Sequence, residues 1–214
     1  ILPEYKDKFN FFKMPYLNTE YLCFNIDPEN PLNKNSPFLN KNFRKALNFS
    51  IDRKALVNYV RNTLGKPGHS GMVPMALPSF NEDSVNGYSF HPDSAQKYLK
   101  ESGYPELKTK PELKFYSVSE YKRMGEFLCK QWEQAGITIQ LEVNASAAFQ
   151  DLVNHGKVNF FRASWLGDYP DAESYLSLFY SKNFAPGGPN KSHLNHPEYD
   201  RLYEQALHEM DVVK

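Results

Sequence analysis

The sequence predicts a mixed α/β fold, a sheet flanked by helices, built as one domain over residues 1–214. Three observations carry that reading. Residues 112–143 run strand, helix, strand in about 30 residues, the length of a right-handed crossover between parallel strands. Stretches of helical period, each opened by a capping residue or a proline, alternate with short extended runs along the rest of the chain. No internal repeat or low-complexity tract divides the sequence, and 214 residues suffice for one sizeable core.

The elements follow in order. Two short runs, Phe9 to Lys13 and Glu20 to Ile26, are aromatic and apolar with Pro15 between them, and predict strands. A Pro- and Asn-rich loop from Asp27 leads to Asn40, an N-cap for a helix with Phe43, Ala46 and Leu47 on one face. Asp52 caps a second helix, Arg53 to Leu64, with Leu56, Val57, Val60 and Leu64 at helical spacing. Gly65 ends it in the left-handed conformation. Residues 66–91 lack periodicity and predict a long loop, anchored inward by Met72, Val73 and Met75. His91-Pro92 starts a helix with Ala95 and Leu99 inward, stopped by Gly103.

Residues 112–118 alternate as a strand with Leu113 and Phe115 on one face. Ser119 caps a helix through Ala135, with Tyr121, Met124, Leu128 and Ala135 along one side, ended by Gly136. Ile137 to Val143 is β-branched and predicts the next strand. Ser146 to Asn154 is a short helix, and Val158 to Ala163 a further strand. Asp171 is expected to cap a helix through Tyr180. A Gly/Pro/Asn loop at 183–196 precedes a last helix from Pro197, with Tyr199, Leu202, Ala206 and Met210.

Composition narrows function. Lys+Arg and Asp+Glu are both 25, so the formal charge is zero, which argues against a nucleic-acid partner. Cys23 and Cys129 form no CxxC pair, and either one disulfide or two buried free thiols fits them. No run reaches the roughly 18–20 apolar residues of a membrane span. The chain opens Ile1-Leu2-Pro3 without Met, and is expected to be a fragment of a longer protein, so the missing signal segment says nothing of location.

The stretch with most chemical content is Phe160-Phe161-Arg162-Ala163-Ser164-Trp165-Leu166-Gly167-Asp168-Tyr169-Pro170-Asp171. An apolar run delivers an aromatic and a carboxylate to one place, and Gly167 is expected to free the backbone there. Asp168 with Asp171 or Glu173 could be the acid pair of a glycoside hydrolase, but Asp171 reads more simply as a helix cap. Asp168 is weighed as a recognition group above a turn former. Arg162 is either a solvated edge residue or the partner of a carboxylate. His193 and His196 are three apart, yet His196 reads as a helix-entry residue before a metal ligand. Gly68-His69-Ser70-Gly71 lacks the strand and Lys of a phosphate cradle. Ser119 and Ser164 have no His to pair with them. No catalytic set emerges, and no cofactor or metal is called for.

Four segments together resemble the large extracytoplasmic solute-binding proteins of ABC importers, the oligopeptide/dipeptide/nickel-binding family. Phe43-Arg44-Lys45-Ala46-Leu47-Asn48-Phe49-Ser50-Ile51-Asp52-Arg53-Lys54-Ala55-Leu56 is similar to the family's RKALxxAIDR helix pair, with Ser50 where Ala is common. Pro92 to Tyr104 is similar to its dpekAkxLLxeAGy helix. The stretch from Trp165 through Leu176 is similar to W-x-x-D-Y-x-D-x-x-x-(F/Y)-L. Asn195-His196-Pro197-Glu198-Tyr199-Asp200 matches N-P-x-Y-D with His196 inserted.

The resemblance implies one lobe, the C-terminal one, of a type II two-lobed periplasmic-binding-protein clamp. It implies a non-enzymatic receptor, periplasmic or otherwise extracytoplasmic, with or without a lipid anchor. The implied partners are a peptide ligand, the importer's membrane permease and an N-terminal lobe of the same protein. Nickel, haem or an oligosaccharide are the alternative ligands within the family.

By the same resemblance Asp168 takes the peptide's α-ammonium, Trp165 lines the ligand cavity, and Arg162 faces the same region. The backbone around 163–168, with Ala163 and Ser164, hydrogen-bonds the peptide's main chain as an added strand. Some oligopeptide binders carry a carboxylate-binding Arg where this chain has Val153. Lys157 or His155 would then be the substitutes.

Overall fold

The computed structural model describes residues 3–6, 8–10, 12, 16–85 and 87–209. Four strands form one mixed sheet in the order β1-β4-β2-β3: β1 Asn18–Phe24, β2 Lys114–Val118, β3 Gln140–Asn144 and β4 Phe160–Leu166. β2 and β3 are parallel, as the strand-helix-strand spacing predicts, and β4 runs parallel to β2 and antiparallel to β1. The helices are α1 Lys41–Phe49, α2 Arg53–Ala55, α3 Pro92–Glu101, α4 Lys122–Gln134, α5 Ser146–Asn154, α6 Glu173–Leu176 and α7 Pro197–Ala206. None is long and apolar enough to cross a membrane.

Alternation along β4 feeds two separate cores. Phe160 joins Phe115, Phe43, Leu47, Leu128 and Trp132 on the face covered by α1, α3 and α4. Phe161 and Ala163 turn the other way, to Cys23, Val118, Phe149 and Val153 beneath α5. Phe160 stacks on Phe24 at 4.4 Å and meets the Trp132 ring at 5.3 Å. Trp132, which the sequence reading left off the buried side of α4, is fully buried and donates its Nε1–H to Leu47 O at 3.3 Å. An indole buried with its N–H satisfied ties α4 to α1.

Local capping chemistry settles most helix starts. Asn40 Oδ1 accepts from the N–H groups of Asn42 and Phe43, and Asp52 Oδ1 from Ala55 N–H. His91 and His196 both cap through Nδ1, accepting from Ser94 and Tyr199 N–H, each one residue before a helix-opening proline. Gly103 and Gly136 close α3 and α4 at positive φ.

Several expectations are corrected. Of the run Phe9 to Lys13, Phe11 and Lys13 lie outside the described residues, and Phe9, Asn10 and Phe12 are not in a strand. The helix after Asp52 does not reach Leu64. It opens into a π turn at Leu56–Val60, Thr63 N–H returns to Val57 O, and Asn62 and Thr63 already take left-handed φ. Leu64 is exposed, so nothing rewards a longer helix. In the 66–91 loop Leu77 and Pro74 are buried while Met75 is exposed.

Ser119 opens a 3-10 turn instead of capping α4 with its side chain. On α7 the inward positions are Tyr199 and Tyr203. Leu202 and Ala206 face solvent, and Met210 lies outside the described residues. The tyrosines win because their hydroxyls find partners: Tyr199 donates to Leu176 O at 2.6 Å and Tyr203 to Glu173. Cys23 and Cys129 are both free thiols.

Candidate functional site

β4 is longer at its C-terminal end than Val158 to Ala163, so Trp165 lies in the strand and not beyond it. β1 pairs with it along its whole length, from Phe24↔Phe160 to Asn18↔Leu166, and Gly167 N–H continues the ladder to Leu17 O at 2.9 Å. On the other side β2 meets β4 at Tyr116↔Phe161 and ends two residues later at Val118. Among the described residues no strand lies beside Ser164–Leu166 on that side. The first four residues of β4 are buried, while Ser164 and Leu166 are exposed and Trp165 is half-buried. An open stretch of main chain at a sheet edge is a template for another extended chain.

The end of this edge is fastened by one buried hydroxyl. Ser174 Oγ, in α6, accepts from Trp165 Nε1 at 3.3 Å and from Asp168 N–H at 3.2 Å. Trp165 and the Asp168 backbone are thus held to one point, and the Asp168 side chain is left exposed. Among the described residues no hydrogen bond or ion pair engages its carboxylate. Gly167 is required for space and not for a left-handed turn. A Cβ there would lie 2.6 Å from the hydroxyl of fully buried Tyr175, which donates to Leu17 O at 2.7 Å. Ser174 and Tyr175 escaped the sequence reading, since nothing in their spacing marks them apart from other helix residues.

Arg162 is not a solvated edge residue. It is buried in the middle of the sheet, paired with Glu20 of β1, and its guanidinium lies 3.5 Å from the Tyr121 ring centroid. Glu20 also accepts from Tyr121 Oη at 3.1 Å. Arg162 Nε is buried without a partner among the described residues. The strand's alternation sends Arg162 to the face of Phe160 and Leu22, and Trp165 to the face of Ala163 and Thr19. The two side chains therefore do not line one wall.

The remaining acids are occupied. Asp171 Oδ1 accepts from Glu173 N–H at 2.8 Å, one residue ahead of the α6 N-cap at Ala172, and the helix is a single turn followed by a 3-10 turn at Ser177–Phe179. Glu173 accepts from the hydroxyls of Tyr169 and Tyr203. An acid pair with Asp168 has no second member free to act as base or nucleophile. His193 stacks on Phe184 at 4.9 Å and His196 caps α7, so the pair is split between two structural tasks. Among the described residues no three His, Cys, Asp or Glu side chains are grouped to hold a metal.

The position expected to carry a ligand-carboxylate Arg is filled by Val153, a buried core residue under Phe161. Both candidate substitutes contact the same acid: Lys157 Nζ is 2.9 Å from Asp151 Oδ2, and His155 Nδ1 is 3.0 Å from Asp151 Oδ1. A different lysine does lie near the strand. Lys191, from the irregular 183–196 loop, lines a recess of about 50 Å³ with residues 161–164 of β4 and Phe149, Gln150 and Val153 of α5. A larger apolar pocket of about 390 Å³ lies between the 70–85 loop and Leu176, Phe179 and Tyr199.

Comparison with known proteins adds a family. Residues 2–187 match the profile of the bacterial extracellular solute-binding proteins, family 5. The chain is 27% identical over 197 residues to heme-binding protein A of Haemophilus influenzae, covering 89% of this chain and 34% of that protein. It is 29% identical over 187 residues to the oligopeptide-binding protein OppA of Bacillus subtilis, covering 83% and 33%. A periplasmic oligopeptide-binding protein of Borrelia burgdorferi superposes with a TM-score of 0.78 at 26% identity, over 99% of this chain and 40% of that one. The chain thus spans about a third of the length of the curated relatives it matches.

Proposed function

The chain belongs to the bacterial extracellular solute-binding proteins, family 5, and from that premise we propose that it is the ligand-gripping, C-terminal lobe of an ABC importer's receptor and that its ligand is a peptide. The observation that carries the proposal is the open edge of β4, which ends at an exposed, unengaged Asp168 carboxylate. A peptide lying along Ser164–Leu166 completes the ladder that β2 leaves unfinished, with affinity drawn from main-chain bonds and little side-chain selectivity. Asp168 then receives the peptide's α-ammonium, and Trp165, fixed by Ser174, forms the wall beside it. The permease and a second lobe are the partners this role requires, and the setting is outside the cytoplasmic membrane.

Asp168→Asn tests the assignment in the intact protein by calorimetric titration with a free peptide. A hydrogen bond to a charged group is worth about 1.5–3 kcal/mol, so affinity should fall about 10- to 100-fold, and N-acetylation of the peptide should cost the wild type the same. Unchanged affinity on both counts overturns the ammonium assignment. A second reading, haem, is favoured by the name of the Haemophilus relative. It predicts a haem absorbance change on titration that peptides do not displace.

A further inference from the structure

Formal charge balances over the whole chain but not along it. Residues 41–66, which form α1, α2 and the turn after them, hold seven Lys and Arg against the single acid Asp52. We propose that the turn over residues 54–66 docks the protein on an anionic lipid surface, with Tyr59 and Leu64 entering the headgroup layer and Lys54, Arg61 and Lys66 meeting lipid phosphates. The inference goes beyond ligand capture and does not rest on the peptide reading.

The first support is apolar surface that the fold leaves in water. Tyr59 is 75% exposed and Leu64 69% exposed. Neither serves the core, because the inward positions of this segment belong to Leu56 and Val60, packed against the cluster that holds Phe160. The backbone explains why Leu64 stays outside. The π turn runs over Leu56–Val60, Thr63 N–H returns to Val57 O at 2.9 Å, and Leu64 N–H to Arg61 O at 2.9 Å. Asn62 and Thr63 hold left-handed φ to make this turn, a conformation that a β-branched threonine seldom adopts.

The second support is charge left free to act. Arg44 and Arg53 are occupied within the fold, on the carbonyls of Phe38 and Leu39 and on Asn48. Lys54 and Lys66 are exposed, and among the described residues neither makes an ion pair or hydrogen bond. Arg61 lies 5.6 Å from the Tyr121 ring centroid, and Glu20, which accepts from Tyr121 Oη, is already paired with Arg162. Three cations therefore flank two large apolar side chains within 13 residues.

This combination fits lipid. Apolar side chains that enter the acyl boundary and cations at headgroup level are the two contributions that hold a protein on an anionic bilayer. A tyrosine suits that boundary, with an apolar ring and a wet hydroxyl. A soluble anion or a partner's side chain needs a recess, and neither cavity described above is lined by residues 54–66. Leu56 and Val60 also set the turn on the sheet face of Phe160, opposite the face of Trp165, so docking leaves the open edge of β4 clear.

The test uses the intact protein without any lipid modification, sedimented with vesicles of phosphatidylcholine alone or mixed equally with phosphatidylglycerol. The wild type should bind the mixed vesicles and not the neutral ones, and added salt should release it. Each cation near a charged surface contributes about fivefold, so Lys54→Gln, Arg61→Gln and Lys66→Gln together should weaken binding about 100-fold. Lys54→Arg with Lys66→Arg should bind as the wild type does, since the surface reads charge. Tyr59→Ser with Leu64→Ser should weaken binding about 10-fold. Thermal melts and ligand affinity of these variants should match the wild type, which separates lost docking from lost folding or lost capture. Leu64→Trp reads insertion directly: the emission it adds should shift to the blue with mixed vesicles. Equal binding of the wild type to both vesicles, or wild-type binding by the triple Gln variant, overturns the proposal. An added emission already blue without vesicles means that another part of the protein covers the turn, and overturns it as well. If the wild type binds no vesicle and the triple Gln variant loses binding to the solubilised permease instead, the partner is an acidic protein surface and lipid docking is overturned.

Discussion

The seven residues of β4 divide into a half that holds the molecule together and a half that stays open. What separates them is their neighbours. Phe160, Phe161 and Arg162 have β1 on one side and β2 on the other, with helices over both faces. Ser164, Trp165 and Leu166 keep β1 but lose β2, which ends at Val118. A strand becomes an open edge where its partner stops, and its first half then serves as the rigid base that positions the second.

The largest difference between the halves should appear in stability. Phe160 is fully buried against four aromatic rings, Phe24, Phe38, Phe115 and Trp132. Phe160→Ala leaves a cavity that two layers of structure cannot close, and should cost about 3–5 kcal/mol in a urea titration. Ser164→Ala, four residues on and exposed, should stay within about 0.5 kcal/mol of the wild type. Similar losses from the two would mean that the outer half is as much part of the core as the inner.

Gly167→Ala probes the junction between edge and core with a smaller effect. The new methyl would press on Tyr175, whose ring is buried and whose hydroxyl is anchored to Leu17 O. Overpacking of this kind costs about 1–3 kcal/mol. Because Trp165 and Asp168 are fastened through Ser174, the neighbour of Tyr175, the variant should lose ligand affinity beyond what its melting point explains. Wild-type affinity and stability together would show that Tyr175 has room to yield, and that the end of the edge is not fixed from beneath.

How much of this was legible in the sequence depends on the range of the interaction. Several caps were readable because each is made within three residues: Asn40, Asp52 and His196 serve as their positions predict, whereas Ser119 and Asp171 do not cap the helices expected of them. The parallel β2 and β3 were readable from spacing. Strand order was not, and without it nothing says that β4 is interior at Arg162 and an edge at Ser164. Arg162 had two readings from sequence, and the choice was made by Glu20, 142 positions away.

On α7 the helical spacing picks out Tyr199 correctly, but Leu202 and Ala206 face solvent and Tyr203 is buried in their place. The deciding factor was whether a hydroxyl could reach Glu173 or Leu176 O. Lys191 sits in a loop with no period at all, and only the fold brings it beside β4.

The smallest effect comes from a thiol that reports on the inner half directly. Cys23 lies opposite Phe161 in the β1–β4 ladder, and burial pushes its pKa to about 12, while half-buried Cys129 is raised to about 11. The thiolate is the reactive form, so at pH 8 only about one Cys23 in ten thousand is reactive even before access is counted. Ser164→Cys places a thiol on the exposed half of the same strand. With iodoacetamide at pH 8 and peptide mass mapping, position 164 should label readily and Cys23 should not. Equal rates would mean that the inner half opens as often as the outer, and the contrast between them would be lost.

The same thiols give stability a pH dependence of defined sign. Both are raised in the folded state above the ordinary value of 9.0. From about that pH upward the unfolded chain releases protons that the folded one keeps, so stability falls as pH rises toward 11–12 and is unaffected by these groups well below 9. Buried tyrosines such as Tyr199, raised to about 12 from 10.0, act in the same direction but begin a unit higher. Other shifted groups begin to contribute below pH 10 as well, so the thiol is isolated by comparing the wild type with Cys23→Ala between pH 8 and 9.5. There the wild type should lose slightly more stability than Cys23→Ala, and an equal slope for the two would place the Cys23 thiol in contact with water.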